Sequence, residues 1–437
     1  MPPAGRGRIR SSCAQAKWLP DTAPGWSAEM TEGERLNGVL LEALLDRAHE
    51  LPPHLIGPLV AEELGRIGGR EVSLLLQDYG QVLLVPLPGG GLTAGPPQRI
   101  DGSDAGRAFL GATRVEVPLA DGVRLYLPLL DGGDHVGVLA LTLDRVDDAV
   151  RRLLRRVAGI VADLLVTKQG YTDLFFRARR REPMSVAAEI QWSLLPPLVM
   201  SMPHVAVAGI LEPAYDVAGD SFDYALNDDI LHAAMIDAMG HGLDAATMAT
   251  VAIGAYRHAR RISIGLSEIY AFMDRAIAEQ FGPDHFVTAQ MMRLNTTTGH
   301  LQWVNAGHPA PLLIRDHEVV QELHSPTTLP VGFGGQEPQI SEQTLRRGDR
   351  VLCFTDGLIE EHDTGGEQFG EEQLISWINH NERSEAGVRA VVRSLSHTLK
   401  RQRGGSTTDD ATLFLIEWRG TTNEGRHPTG GGLHRYV

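Results

Sequence analysis

The sequence predicts an α/β (α+β) protein, with two stacked sheets flanked by helices in its C-terminal half, preceded by a smaller α/β domain and a helical linker. Three observations predict it. Between residues 203 and 418, helical patterns come in pairs between groups of strand-like runs. A separate set of two helices and several short strands occupies 34–145. One long helical periodicity, from Asp147 to about Leu194, joins them and stops at Pro196-Pro197. A chain of 437 residues is also too long for one ordinary core.

Residues 1–29 are aperiodic and contain Pro, Gly and Ser, so disorder is expected there. A sensor-type domain is expected over 30–146. It opens with apolar residues at helical spacing (Leu36, Val39, Leu40, Leu44, then Leu55, Leu59, Val60, Leu64), split by Pro52-Pro53. The period then changes. Val72–Leu76 and Gln81–Val85 read as strands around the turn Asp78-Tyr-Gly80. Thr113–Pro118, Val123–Leu129 and His135–Leu143 follow, which makes a five-stranded antiparallel meander closed by a helix. In pattern this segment resembles a GAF domain, most closely in Val136-Gly-Val-Leu-Ala-Leu141.

The linker is expected over 147–198. Leu153, Val157, Ile160, Leu164, Thr167, Tyr171 and Leu174 alternate at intervals of four and three, a heptad seam that suits a parallel homodimer. The alternative is a helix packed on its own domain. Gly170 and the basic run Arg177–Arg181 interrupt the seam, and the run reads as a solvated helix face. In the domain expected over 199–419, strands are predicted at Val205–Leu211, Ser221–Leu226, Leu231–Asp237, Phe286–Asn295, His300–Asn305, Pro311–Arg315, Asp349–Thr355 and Ala411–Trp418. Helices are predicted at His241–Ile262, Ser267–Phe281, Glu371–Asn379 and Ala386–Arg401. The Gly-, Thr- and His-rich tail, 420–437, is expected to be disordered.

Composition narrows the partners. A formal net charge of −15 disfavours nucleic acid and anionic membranes. No run approaches the roughly 18 apolar residues of a membrane span. The two cysteines, Cys13 and Cys353, form no framework, which suits a reducing, cytoplasmic setting. Cys353 lies in the apolar run Val351–Phe354 and reads as a buried structural thiol.

Four aspartates divide the C-terminal half: Asp220, Asp237, Asp356 and Asp409. Each sits beside a strand-like run or a glycine turn. Carboxylates held at strand ends suit Mg²⁺ or Mn²⁺, which prefer carboxylate, carbonyl and water ligands, and no Cys/His cluster of zinc type is present. Clustered carboxylates repel one another without cations. Acids so placed point to an enzyme acting on phosphate.

Residues 204–418 resemble the metal-dependent protein phosphatases of type 2C, in their bacterial SpoIIE-like branch. The phrases that carry the resemblance occur in the family's order. They are Asp216-Val-Ala-Gly-Asp-Ser-Phe-Asp223, Ile236-Asp-Ala-Met-Gly-His-Gly-Leu-Asp-Ala-Ala246, Asn305-Ala-Gly-His-Pro309, Arg347-Gly-Asp349, Phe354-Thr-Asp-Gly-Leu-Ile-Glu360 and Asp409-Asp-Ala-Thr412. Ile190-Gln-Trp-Ser-Leu-Leu-Pro196 is similar to that branch's helix-to-domain junction.

The resemblance implies an αββα sandwich holding two ions, Mn²⁺ or Mg²⁺. It implies that Asp237 bridges them, Asp220 serves one side, Asp356 and Asp409 the other, and the Ala238 carbonyl adds a ligand. A metal-activated water would attack phosphorus directly, freeing serine or threonine with no phosphoenzyme. The implied substrate is a phosphorylated protein, an anti-anti-sigma factor of the STAS type. Two departures stand out. Ala218-Gly219 replaces the family's usual Gly-Gly, and this branch lacks the phosphate-gripping arginine of its eukaryotic relatives.

The neighbouring polar residues read as support. Asp216, Asp223 and Asp410 are expected as supporting or capping carboxylates, His241 as a structural histidine at a helix start, and His308 as the organiser of a loop. Asp349 reads as a turn residue and Asp244 as a first-turn acid favoured by the helix dipole. Two other classes are weighed: a catalytically silent scaffold, against which all four aspartates are retained, and a small-ligand-binding protein. No Cys or His in 34–145 has a haem- or metal-like arrangement.

Overall fold

The computed structural model describes residues 32–420 except 213, 216–218, 327, 336, 359–369, 382–386 and 403–409. The segment 1–29, Cys13, Asp216, Asp409 and all but the first residue of the 420–437 tail lie outside the described residues.

The N-terminal domain begins with α1 (Glu32–Glu50) and α2 (Ile56–Arg66). Strands β1 (Arg70–Gln77), β2 (Leu83–Pro86) and β3 (Gln98–Arg99) follow, then α3 (Asp104–Gly111). The domain closes with β4 (Val115–Leu119), β5 (Gly122–Asp131), β6 (Asp134–Leu143) and α4 (Asp148–Gln169). These strands form one sheet in the order β3-β2-β1-β6-β5-β4. Strand alternation sorts β1 between two cores. Leu74 and Leu76 face α1, α2 and α4 with Leu44, Leu59 and Leu64, while Leu75 faces Phe109 of α3, with Ile100 and Val138.

Two expectations for this domain are corrected. The sheet is not a simple five-stranded meander, because β6 lies beside β1 and a sixth strand, β3, joins the edge. Pairing of the first and last strands is a long-range contact with no local signature, and a two-residue strand is too short to show a period. The helix α3 was also not predicted; it is started by Ser103, whose hydroxyl accepts from the Gly106 N–H at 2.9 Å.

The heptad seam is corrected as well. Leu153, Val157, Val161 and Leu165 of α4 are buried in their own domain's core, while Tyr171 is 62% exposed. The helix ends at Gln169, and α5 (Leu174–Arg179) and α6 (Val186–Leu194) are separate short helices. An apolar stripe at this spacing shows that something covers it; here that partner is the chain's own sheet and α1. The basic run is not simply solvated either. Arg179 stacks over the Tyr79 ring at 4.5 Å and donates from Nε to the Gln77 carbonyl at 2.8 Å.

The C-terminal domain contains β7 (Val199–Ser201), β8 (Val205–Glu212), β9 (Asp220–Asn227) and β10 (Ile230–Ala238), then α7 (Gly242–Arg261) and α8 (Leu266–Phe281). Next come β11 (Val287–Asn295), β12 (His300–Ala306), β13 (Leu312–Arg315), β14 (Glu318–Glu322), β15 (Ser341–Thr344) and β16 (Arg350–Phe354). Helices α9 (Gly370–Asn381) and α10 (Val388–Gln402) precede β17 (Ala411–Trp418). The strands make two antiparallel sheets, β15-β12-β11-β10-β9 and β14-β13-β16-β17-β8-β7. Every predicted strand and helix of this domain is present; β7, β14 and β15, of three to five residues, were not predicted.

The two sheets pack face to face, and period-2 alternation assigns each residue a side. On β10, Leu231, Ala233 and Met235 point between the sheets, and Ala234, Ile236 and Ala238 point to α7 and α8. On β17, Phe414, Ile416 and Trp418 point between the sheets, and Leu413 and Leu415 point to α9 and α10. The architecture is therefore αββα. Cys353 is buried between the sheets, where burial pushes its thiol up to about 12. Among the described residues, no helix is long and apolar enough to cross a membrane.

Candidate metal centre

The same alternation that fills the inter-sheet core carries acids to its rim. Asp237 continues the Leu231, Ala233, Met235 side of β10, and Asp220 continues the Phe222, Tyr224 side of β9. The register places Asp220 and Asp237 directly opposite each other. Cross-strand neighbours on one face have Cβ atoms about 5 Å apart.

The chain before Asp220 must pass very close to β10. A Cβ on Gly219 would lie 2.3 Å from the Ala238 carbonyl oxygen and 3.3 Å from Asp237 Oδ1, so glycine is required. The Gly219 N–H donates to Asp410 Oδ2 at 2.8 Å, and its carbonyl accepts from the Ala238 N–H at 3.2 Å. Ala218, the departure from the family pattern, lies outside the described residues.

Thr355, at the end of β16, donates its hydroxyl to Asp220 Oδ2 at 2.6 Å and accepts from the Thr412 N–H at 2.9 Å. That links the two sheets through the site. Asp356 is the next residue and opens a short 3-10 turn, Asp356–Leu358. The structure thus brings together Asp220, Asp237 and Asp410, and sets Asp356 one residue beyond a hydroxyl that holds Asp220. Asp409 adjoins Asp410 but is not among the described residues.

Among the described residues, no three His, Cys, Asp or Glu side chains converge tightly enough to hold a metal ion. The donor chemistry nevertheless fits a hard divalent cation. Burial raises the Asp220 carboxyl well above the usual carboxylate range, and the charges of Asp237 and Asp410 raise it further. A cation relieves such a set, and all-oxygen donors suit Mn²⁺ or Mg²⁺.

The supporting residues sort by strand face. Asp223 is corrected: it lies on the helix side of β9, away from Asp220, and is 1% exposed. It accepts from Arg257 Nη2 at 2.7 Å and Arg260 Nη1 at 2.8 Å, which fastens α7 to the sheet. His241 is the exposed N-cap residue of α7, and its side chain caps nothing. Asp244 lies in that helix's first turn. The His308 N–H donates to Asn305 Oδ1 at 2.8 Å, and Asn305 Nδ2 returns a bond to the His308 carbonyl at 2.7 Å, closing a loop. Asp349 accepts from Arg315 Nε at 2.8 Å, from Arg315 Nη2 at 2.6 Å and from the Arg346 N–H at 2.7 Å, within a turn.

Three residues were not singled out from sequence: Thr355, Thr412 and Gln191. All sit inside quoted motifs, so the signal was position beside an acid or at the helix junction. The Gln191 side-chain amide donates to the Asp220 backbone carbonyl. Its neighbour Trp192 donates from Nε1 to the Ala214 carbonyl at 2.7 Å, and the Ser185 N–H donates to the Tyr215 carbonyl at 2.9 Å. The helix α6 is therefore fastened along the segment leading into Asp220.

Two antiparallel sheets between helix pairs, with paired aspartates at the inter-sheet rim, are the arrangement expected of a type 2C phosphatase domain. Residues 227–419 match the family described as Stage II sporulation protein E (SpoIIE). Phosphoserine phosphatase RsbP of Bacillus subtilis is 28% identical over 42% of this chain and 47% of its own length. Phosphoserine phosphatase RsbU of the same organism is 21% identical over 54% of this chain and 70% of its own. The match thus spans less than half of RsbP. Among solved structures, the RsbU and RsbW domains of Rv1364c from Mycobacterium tuberculosis align with a TM-score of 0.44 at 27% identity, over 50% of this chain and 63% of that one. The SiaA-PP2C domain of Pseudomonas aeruginosa aligns with a TM-score of 0.46 at 21% identity, over 53% of this chain and 94% of that one.

Proposed function

We propose that the chain is a metal-dependent phosphoserine/phosphothreonine protein phosphatase acting in the cytoplasm on a phosphorylated STAS-type regulator, under control of its N-terminal domain. The observation that supports this most is the facing pair Asp220 and Asp237 at the rim of the inter-sheet core. Asp220, Asp237, Asp356, Asp409 and the Ala238 carbonyl would hold a two-ion Mn²⁺ or Mg²⁺ centre, with Asp237 shared, Asp220 on one side and Asp356 and Asp409 on the other. When bound, the ions supply Lewis acidity and lower the pKa of water. The chain's own residues supply position. Thr355 orients the Asp220 carboxyl, and Asp410 fixes the backbone that must pass beneath Asp237.

The names of RsbP and RsbU, both phosphoserine phosphatases, favour a phosphoprotein substrate. The fastening of α6 beside Asp220 supports control from upstream. The test is Mn²⁺-dependent phosphate release from a phosphorylated STAS protein and from p-nitrophenyl phosphate, comparing wild type with Asp237→Ala. The variant should lose about 100-fold or more of the rate, the scale of removing one electrostatic catalytic element. Absence of metal-dependent turnover on both substrates by the wild type would transfer the reading to a silent scaffold.

A further inference from the structure

Where the N-terminal domain meets α6 there is a cavity of about 450 Å³. Its walls come from β1, β6, α4 and α5 on one side and from α6 and the Leu195–Leu198 segment on the other. Ligand cavities span about 300–1,000 Å³. This one is separate from the metal centre. It is also separate from the α3 face of the N-terminal sheet, which Phe109, Ile100, Leu75 and Val138 fill.

We propose that this cavity binds a small aromatic amine, a flat ring carrying an ammonium or amino group. Its aromatic wall is the ring pair Tyr79 and Trp192, with centroids 4.8 Å apart and planes at 59°, together with Phe175. A tilted pair of this kind accepts a third ring edge-on or offset. Its polar wall is acidic: Asp131 and Asp134, at the two ends of the β5–β6 turn, both line it. Among the described residues, the one arginine on the lining, Arg179, is committed, since its guanidinium stacks on Tyr79 and its Nε is bonded to the Gln77 carbonyl. His135 is held through Nδ1 by the Phe109 carbonyl at 2.6 Å. A ring with an amine matches both walls, whereas a carboxylate or phosphate would face two carboxylates.

The site reaches the metal centre through one helix. Trp192 adjoins Gln191, whose amide holds the Asp220 carbonyl. A molecule seated on Trp192 therefore presses on the helix that fastens the Asp220 segment. The binding claim itself does not depend on the catalytic reading.

The experiment is calorimetric titration of the full chain with tryptamine and with indole-3-acetate, which share a ring and differ in charge. Tryptamine should bind at least about tenfold more tightly, a difference of about 1.4 kcal/mol. Asp134→Asn should erase most of that preference, and Val136→Phe, which narrows the cavity, should weaken both ligands; thermal unfolding of each variant checks folding. Asp237→Ala should leave tryptamine binding unchanged, which separates this site from the catalytic one. Equal affinity for the two probes, or no heat from either at about 10 mM, far above any useful affinity, overturns the proposal on wild type alone. Undiminished binding by folded Asp134→Asn and Val136→Phe overturns it too.

Discussion

Gln191 donates its side-chain amide to the backbone carbonyl of Asp220, so a helix from the linker region holds the strand that carries a buried site carboxylate. Gln191 is itself fully buried. Replacing it with Leu leaves that carbonyl without its donor, at a cost of about 1–3 kcal/mol. Gln191→Leu should raise the Mn²⁺ concentration needed for half-maximal phosphate release several-fold. A metal dependence matching wild type would show that the bond does not position Asp220.

Asp223 makes a different prediction from its neighbour three residues away. It bridges Arg257 and Arg260 of α7, and Arg260 is 6% exposed. Asp223→Asn strands buried guanidinium charge, and breaking such a pair costs about 3–5 kcal/mol. The urea midpoint should fall sharply. A shift within about 0.5 kcal/mol, the scale of an ordinary surface change, would contradict this packing role.

Divalent cations should stabilise the fold through Asp220 and Asp237. An ion at about 100 times its dissociation constant adds about 2.7 kcal/mol. Mn²⁺ or Mg²⁺ should therefore raise the unfolding temperature of wild type but not of Asp237→Asn. This readout needs no substrate, so it separates metal binding from turnover. Identical curves for the two proteins with and without Mn²⁺ would count against a site here.

His308 sets an acid limit on stability. Burial lowers its imidazole pKa to about 3, against about 6.5 in an unfolded chain. The unfolded state then binds the extra proton, so stability is lost as pH falls from about 6.5 towards 3. The slope from this one residue reaches about 1.4 kcal/mol per pH unit. His308→Gln should flatten the pH dependence of unfolding in that window, whatever it costs in absolute stability. A slope equal to wild type would remove His308 as the source.

Arg393 ties α10 to the N-terminal domain, bonding the Gln81 carbonyl and, at 2.9 Å, Asp101. Arg389 lies beside it, over the Phe109 ring at 4.2 Å and bonded to Gln77 Oε1 at 2.9 Å. Arg393→Ala should loosen the two domains, seen as an increased radius of gyration by X-ray scattering. The cation-induced rise in unfolding temperature should persist, because Asp220 and Asp237 both lie at the inter-sheet rim within the C-terminal domain, on strands that Arg393 does not hold. An unchanged radius would mean that Arg389 and the α6 contacts hold the domains without it.

How much of this was legible in the chain depended on range. On β10 the alternation Leu231, Ala233, Met235, Asp237 is visible in the sequence and already places the acid on the side of the inter-sheet core. The same reading separates Asp220 from Asp223 by one face of β9, although that distinction emerged only with the structure. The sandwich followed from strand and helix patterns long enough to show their periods, and the acids from motifs in a specific order. Tertiary structure alone decided the rest. It set Asp220 opposite Asp237, brought Asp410 onto Gly219 across 191 residues, placed β6 beside β1, and buried the α4 seam in its own domain. The physical reason is common to all four. A local pattern determines which face of an element is apolar or acidic, but the register and the partner that cover that face come from contacts between distant segments. The order of residues along the chain does not encode those contacts in any short window.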